Sequence, residues 1–159
     1  MRNLGAVVTA VLVAMTFSVE AISDSGVAYP SGYRAWQHVK SMIIQPGHPL
    51  EDPFGGIHHV YANSSAMAGL SDGRYADGAV FVFDLLNYAE ADNVIVEQNR
   101  KRIDVMQYDS KRFTETGGWG YETFAGGSTE RLDQDVTVAC HACHTGAKAT
   151  NFVFSRYRP

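Results

Sequence analysis

One stretch restricts the fold more than any other: Ala79-Val80-Phe81-Val82-Phe83-Asp84-Leu85-Leu86. Nearly every residue in it is β-branched, aromatic or aliphatic, the types that fit a pleated surface. The apolar run does not alternate with polar residues, so the strand it predicts is buried on both faces. Further strands are predicted at 57–62, 94–97, 102–107, 121–124 and 151–155. Asp72-Gly73 and Asp77-Gly78 are turn signals, and Gly117-Gly118 and Gly126-Gly127 interrupt the chain again. A helix is predicted over 31–44, with Ser31 as its cap and Tyr33, Trp36, Val39 and Met42 recurring every three residues. Pro46-Gly47-His48-Pro49 ends it. A shorter helix is predicted at 64–70. The expected fold is mainly β (α+β): an antiparallel sheet with two or three helices.

The chain has 159 residues, of which 45% are hydrophobic and 19% charged, enough for one packed domain and too few charges for a long disordered arm. A net charge of −4 leaves no basic footprint, which excludes nucleic acid as the expected partner. The N-terminus begins Met1-Arg2-Asn3, continues as an apolar run over 4–19 and ends Val19-Glu20-Ala21. This is the pattern of a signal peptide cleaved after Ala21. The run is roughly 16 residues, short for a bilayer core of about 30 Å. The expected organisation is therefore a signal peptide at 1–21 and one domain at 22–159, exported to the periplasm and not membrane-bound after cleavage.

Only two cysteines are present, in Cys140-His141-Ala142-Cys143-His144. A bridge between residues three apart would staple almost nothing. The C-x-x-C-H spacing instead lets two thiols on one turn form thioethers with the two vinyl groups of one porphyrin, and brings the next histidine under the iron. A thioredoxin-like pair would need a βαβ unit, and zinc would need further ligands. One covalent c-type haem is thus expected, held by Cys140 and Cys143 with His144 as proximal ligand and His141 pointing away from the iron. His58 and His59 are adjacent on a predicted strand and face opposite sides. His38 falls on the predicted first helix and His48 in a loop. Asn63-Ser64-Ser65 matches a glycosylation sequon.

Several blocks, in order, resemble the cytochrome P-460 family, which includes the cytochromes c′-beta. They are Ile57-His58-His59-Val60-Tyr61-Ala62-Asn63, Tyr75-Ala76-Asp77-Gly78-Ala79-Val80, Val105-Met106 and Thr116-Gly117-Gly118-Trp119-Gly120-Tyr121. The C-x-x-C-H and Phe152-Val153-Phe154-Ser155-Arg156-Tyr157 follow. The resemblance implies an antiparallel β-fold, a homodimer, and a haem with His144 on one side and an open position opposite. In the enzyme branch, which oxidises hydroxylamine, a lysine five residues beyond the glycine of the Asp-Gly turn is cross-linked to the haem. Counted from Gly78, that position is Phe83, and neither Lys101 nor Lys111 fits the pattern. Phe83 is expected to form an apolar wall over the open face, admitting a small neutral ligand such as nitric oxide. Asp104 falls at the family's distal carboxylate position, and His58 near its basic one. The expected function is a monohaem cytochrome that binds nitric oxide or related small nitrogen species. One alternative is an oxidoreductase acting on hydroxylamine or nitric oxide with Asp104 as base. The other is an electron carrier serving a redox partner protein, with Met106 or Met67 as sixth ligand.

Overall fold

In the computed structural model, which describes residues 25–132 and 136–158, the apolar run at 79–86 forms the heart of the central strand of one antiparallel sheet. The strands follow one another in chain order: β1 (Gln37–Ile44), β2 (Gly56–Ala62), β3 (Val80–Ala91), β4 (Val94–Tyr108) and β5 (Trp119–Ala125). Around them lie α1 (Glu51–Phe54), α2 (Ser64–Asp72) and α3 (Val136–His144), the last packed on β5. The proposed signal peptide lies outside the described residues. Among the described residues no helix is long and apolar enough to cross a membrane.

Register sorts the side chains onto two faces. Val60 pairs with Phe83, Phe83 with Asp104, and Asp104 with Thr123; the flanking row runs Ala62, Phe81, Met106, Tyr121. Alternation puts these on one face, here called the front. Val60, Ala62, Phe81, Met106, Trp119 and Tyr121 pack there into one buried cluster. Val82, Ile103, Val105 and Phe124 form a second cluster on the back with Val27 and Tyr33. Both faces of β3 are covered over 80–86, as the composition of that run requires.

The back face also buries a charge. Asp84 is fully buried and accepts from Tyr33 Oη at 2.7 Å, Arg100 Nε at 2.6 Å and Arg34 Nη1 at 3.2 Å. These donors offset the loss of hydration that would otherwise forbid a carboxylate there. Glu122, buried on the same face, accepts from Ser25 Oγ at 2.7 Å and from Arg131.

Three local expectations are corrected. Residues 31–44 do not form a helix: Tyr33–Ala35 make a 3-10 turn after Gly32, whose φ of 74° is left-handed, and β1 follows. Trp36 packs on the back cluster and Val39 on the front one, so the spacing of three never defined a single apolar face. The strands predicted at 94–97 and 102–107 are one, β4, because pairing with β3 continues through the polar residues between them. The segment 151–155 is not a strand, because Asn151 and Phe152 have φ of 52° and 64°. The sequon residue Asn63 is a cap: its Oδ1 accepts from Ala66 N at 2.9 Å and Val80 N at 3.1 Å, and its Nδ2 donates to Gly78 O at 2.8 Å. That amide is already committed.

Candidate functional site

Cys140, Cys143 and His144 all lie on α3. Residues three apart on a helix share a side, so the two thiols face one way; Cys140 is half-buried against the front cluster and Cys143 exposed, with no disulfide between them. A short 3-10 segment, Thr145–Thr150, follows, and the left-handed pair Asn151-Phe152 turns the chain back. Left-handed backbone costs a side-chain-bearing residue about 1–2 kcal/mol. Here it is held by Phe152 N donating to Ala147 O at 2.9 Å and Trp119 Nε1 donating to Asn151 O at 2.9 Å. Gly117 makes room: a Cβ there would come within 2.4 Å of the Phe152 ring.

The turn delivers the Phe152 carbonyl to His144 Nδ1 at 2.6 Å. A carbonyl only accepts, so Nδ1 carries the proton and Nε2 keeps its lone pair. That is the tautomer of a metal-bound imidazole, with its N–H held by a backbone carbonyl. Burial lowers the pKa of His144, which favours the neutral, ligating form over the opposing pull of the Phe152 bond.

Tyr121 lies beside this group, its ring 5.2 Å from that of His144. Its hydroxyl is buried with no hydrogen-bond partner among the described residues, and burial raises its pKa, with the two cysteines adding to the shift. An orphaned buried hydroxyl next to two thiols and an oriented imidazole fits a site completed by a large group. His141 packs between Tyr121 and Phe152, with ring centroids at 6.1 and 5.2 Å.

Further along the front face, the structure brings Phe83, His58 and Asp104 together. The Phe83 ring stands edge-on to His58 at 4.3 Å and to Phe54 at 6.2 Å. His58 is fully buried, and its Nε2 donates to the Phe54 carbonyl at 2.5 Å. Burial lowers the pKa of His58 and keeps the ring neutral near pH 7. Asp104, directly across from Phe83, accepts from Thr123 Oγ1 at 2.9 Å and pairs with Arg102 at 3.1 Å. His59 faces the back, as alternation demands. Met106 is buried in the front core, and Met67 packs against the same cluster from α2. Lys101 is tied to the Gly55 carbonyl at 2.8 Å.

Sequence reasoning missed Phe54, Arg102 and Tyr121. Phe54 sits in Pro53-Phe54-Gly55-Gly56, which reads as a loop, yet α1 and the His58 bond hold it on Phe83. Arg102 lies over the Phe54 ring, its guanidinium carbon 4.7 Å from the centroid. Its position directly before the Ile103-Asp104 pair in a β-strand was the available signal. The orphaned hydroxyl of Tyr121 has no sequence signature.

The described residues thus offer two thiols on one turn, an imidazole with its outer nitrogen available, and an aromatic wall backed by a neutral histidine. This donor set fits a covalently held haem. Compared with known proteins, residues 30–155 match the family model described as Cytochrome P460. No curated protein matches the chain.

Proposed function

Because the chain belongs to the cytochrome P460 family of haem proteins, we propose that it is an exported, periplasmic cytochrome carrying one covalent c-type haem and binding nitric oxide or a related small nitrogen species. In this reading Cys140 and Cys143 form the thioethers and His144 Nε2 is the proximal ligand. The bound haem supplies an iron able to take a diatomic ligand and change oxidation state. The chain's own residues set what reaches it. Phe83 and Phe54 present apolar ring edges, neutral His58 adds no charge, and the Arg102 and Asp104 charges beside them are paired with each other, so small neutral molecules are favoured over anions.

The observation that carries this reading is Phe83 itself, packed edge-on between His58 and Phe54 at the position where the resemblance calls for a cross-linking lysine. Its phenyl ring offers no amine for that bond. Thr123 and Arg102 both contact Asp104 through Oδ1, which fixes the carboxylate without deciding against the oxidoreductase alternative, in which it acts as base. Burial of Met106 among Phe81, Trp119 and Tyr121 counts against Met106 as the sixth ligand of an electron carrier, which leaves partly buried Met67 as that reading's candidate. The homodimer implied by the resemblance has an apolar surface available to it in Val94 and Val96, exposed on one face of β4 where it forms a hairpin with β3. Exposed apolar residues clustered on a strand favour association.

Absorption spectra of the purified protein test the proposal. A high-spin ferric haem is expected, with a ferrous form that takes up nitric oxide. A sharp low-spin spectrum would replace this reading with that of a carrier, and a long-wavelength ferrous band would reveal a cross-link and favour the enzyme.

A further inference from the structure

The back face carries a second group of donors, away from the cysteines. Ser41 on β1 pairs with His59 on β2, and His38 stands three residues before Ser41. Residues three apart on a regular strand face opposite ways, but a bulge between His38 and Lys40 shifts the register. Bulges re-aim side chains in this way, and it brings His38 and Ser41 to the same side. The His38 and His59 rings lie 5.9 Å apart.

The hydrogen bonds have a definite direction. Glu97 accepts from His59 Nε2, because a carboxylate oxygen has no proton to give. His59 Nδ1 then keeps its lone pair and faces Ser41 Oγ at 2.6 Å. With the Ser41 proton given to His59, His38 Nε2 donates to the same oxygen at 2.8 Å, and it binds a metal only as the other tautomer, with its proton moved to Nδ1. Two imidazole nitrogens from different segments of the edge therefore converge on one hydroxyl. His59 is only 16% exposed, and a carboxylate fixes its ring, the arrangement found behind metal-bound histidines.

We propose that His38 Nε2 and His59 Nδ1 bind a divalent transition metal of the Cu²⁺/Zn²⁺ class, at the place where the Ser41 hydroxyl now bridges them. An ion there would start 2.8 and 2.6 Å from the two nitrogens. Metal–imidazole bonds are about 2.0–2.1 Å, so each ring closes by well under 1 Å while Ser41 rotates aside. Among the described residues no three His, Cys, Asp or Glu side chains are arranged around one metal position. The site is thus a two-imidazole chelate completed by water, and Glu97 acts from behind His59. Imidazole suits copper, zinc and nickel, with copper bound most tightly. The site is independent of the haem reading.

The test is calorimetric titration of the haem-loaded protein with Zn²⁺ alone and with Cu²⁺ alone, with electron paramagnetic resonance of the copper form. One ion per chain is expected, copper tighter than zinc, with nitrogen hyperfine structure from two imidazoles. His38→Ala and His59→Ala should each weaken binding tenfold or more. Glu97→Gln should weaken it by about 10- to 100-fold, as loss of a supporting carboxylate does. Ser41→Ala should leave binding intact or tighten it, since the hydroxyl only holds the place. His38 and Ser41 are exposed and His59 is half-buried, so circular dichroism checks the fold of each variant before binding is compared. Binding that survives the double variant His38→Ala/His59→Ala belongs elsewhere and overturns the proposal. So does loss of binding in Ser41→Ala, or a copper signal without nitrogen coupling.

Discussion

Replacing Phe83 by alanine removes a ring whose two neighbours are known. It meets His58 edge-on at 4.3 Å and Phe54 at 6.2 Å. Such pairs contribute about 0.5–1.5 kcal/mol each beyond area burial. If an incoming ligand must swing the ring aside, it breaks both pairs, a barrier of about 1–3 kcal/mol. At about 1.4 kcal/mol per factor of ten, Phe83→Ala should speed carbon monoxide binding to the ferrous haem by roughly 5- to 150-fold. Phe83→Leu keeps apolar bulk without the ring edges and should fall between. Full burial of a phenylalanine is worth about 3–5 kcal/mol against alanine. Phe83 is half-buried in the chain alone, so a stability loss of about 2–3 kcal/mol is expected, and folding is checked first by thermal melting. Stopped-flow mixing with carbon monoxide gives the rates. An unchanged rate in a folded Phe83→Ala protein would falsify the gating role and leave Phe83 as core packing.

Cys140→Ala with Cys143→Ala should release haem into acidic organic solvent, while the parent keeps it; haem retained covalently in the double variant would refute the attachment. Asp84→Ala strips the shared acceptor from Tyr33, Arg34 and Arg100 and should cost about 2–4 kcal/mol in urea unfolding, below the full value for a buried pair because Arg34 is half exposed. A loss under 1 kcal/mol would mean that the cluster is solvated in practice. His58 carries a lowered pKa from burial, so the unfolded chain takes up the proton first as pH falls. Stability of the haem-loaded protein should hold above about pH 6.5 and decline as pH falls from there towards the lower folded value. His58→Gln should flatten that decline, and an unaltered pH profile of the melting temperature would show that His58 is not its source.

Much of the sheet was readable because its signals were local. The run at 79–86 is apolar throughout and had to be central. The block at 57–62 and the Trp119 to Phe124 region carry strand formers bounded by turn residues. The segment 31–44 was misread because its periodicity arises from two packing surfaces, Trp36 behind the sheet and Val39 before it. No count along the chain separates that from one helical face. The cysteines and His144 stand out as candidates because the C-x-x-C-H spacing is what thioether attachment requires, and the helix that carries all three is a local feature. The bond from His144 to the Phe152 carbonyl was not legible, since it depends on two successive left-handed residues that look like a strand by composition. Phe54 was hidden for a related reason: its ring meets Phe83, which β2 reaches only by pairing with β3.

Phe83 and Asp84 are neighbours in the chain and strangers in space. One faces the front wall; the other anchors Tyr33, Arg34 and Arg100 on the back. A change at 83 therefore need not disturb the clamp that holds the strand, and a change at 84 strikes the clamp directly. For a lineage, this makes the front wall a place where chemistry can be rewritten one codon at a time, while the back supplies the fixed frame.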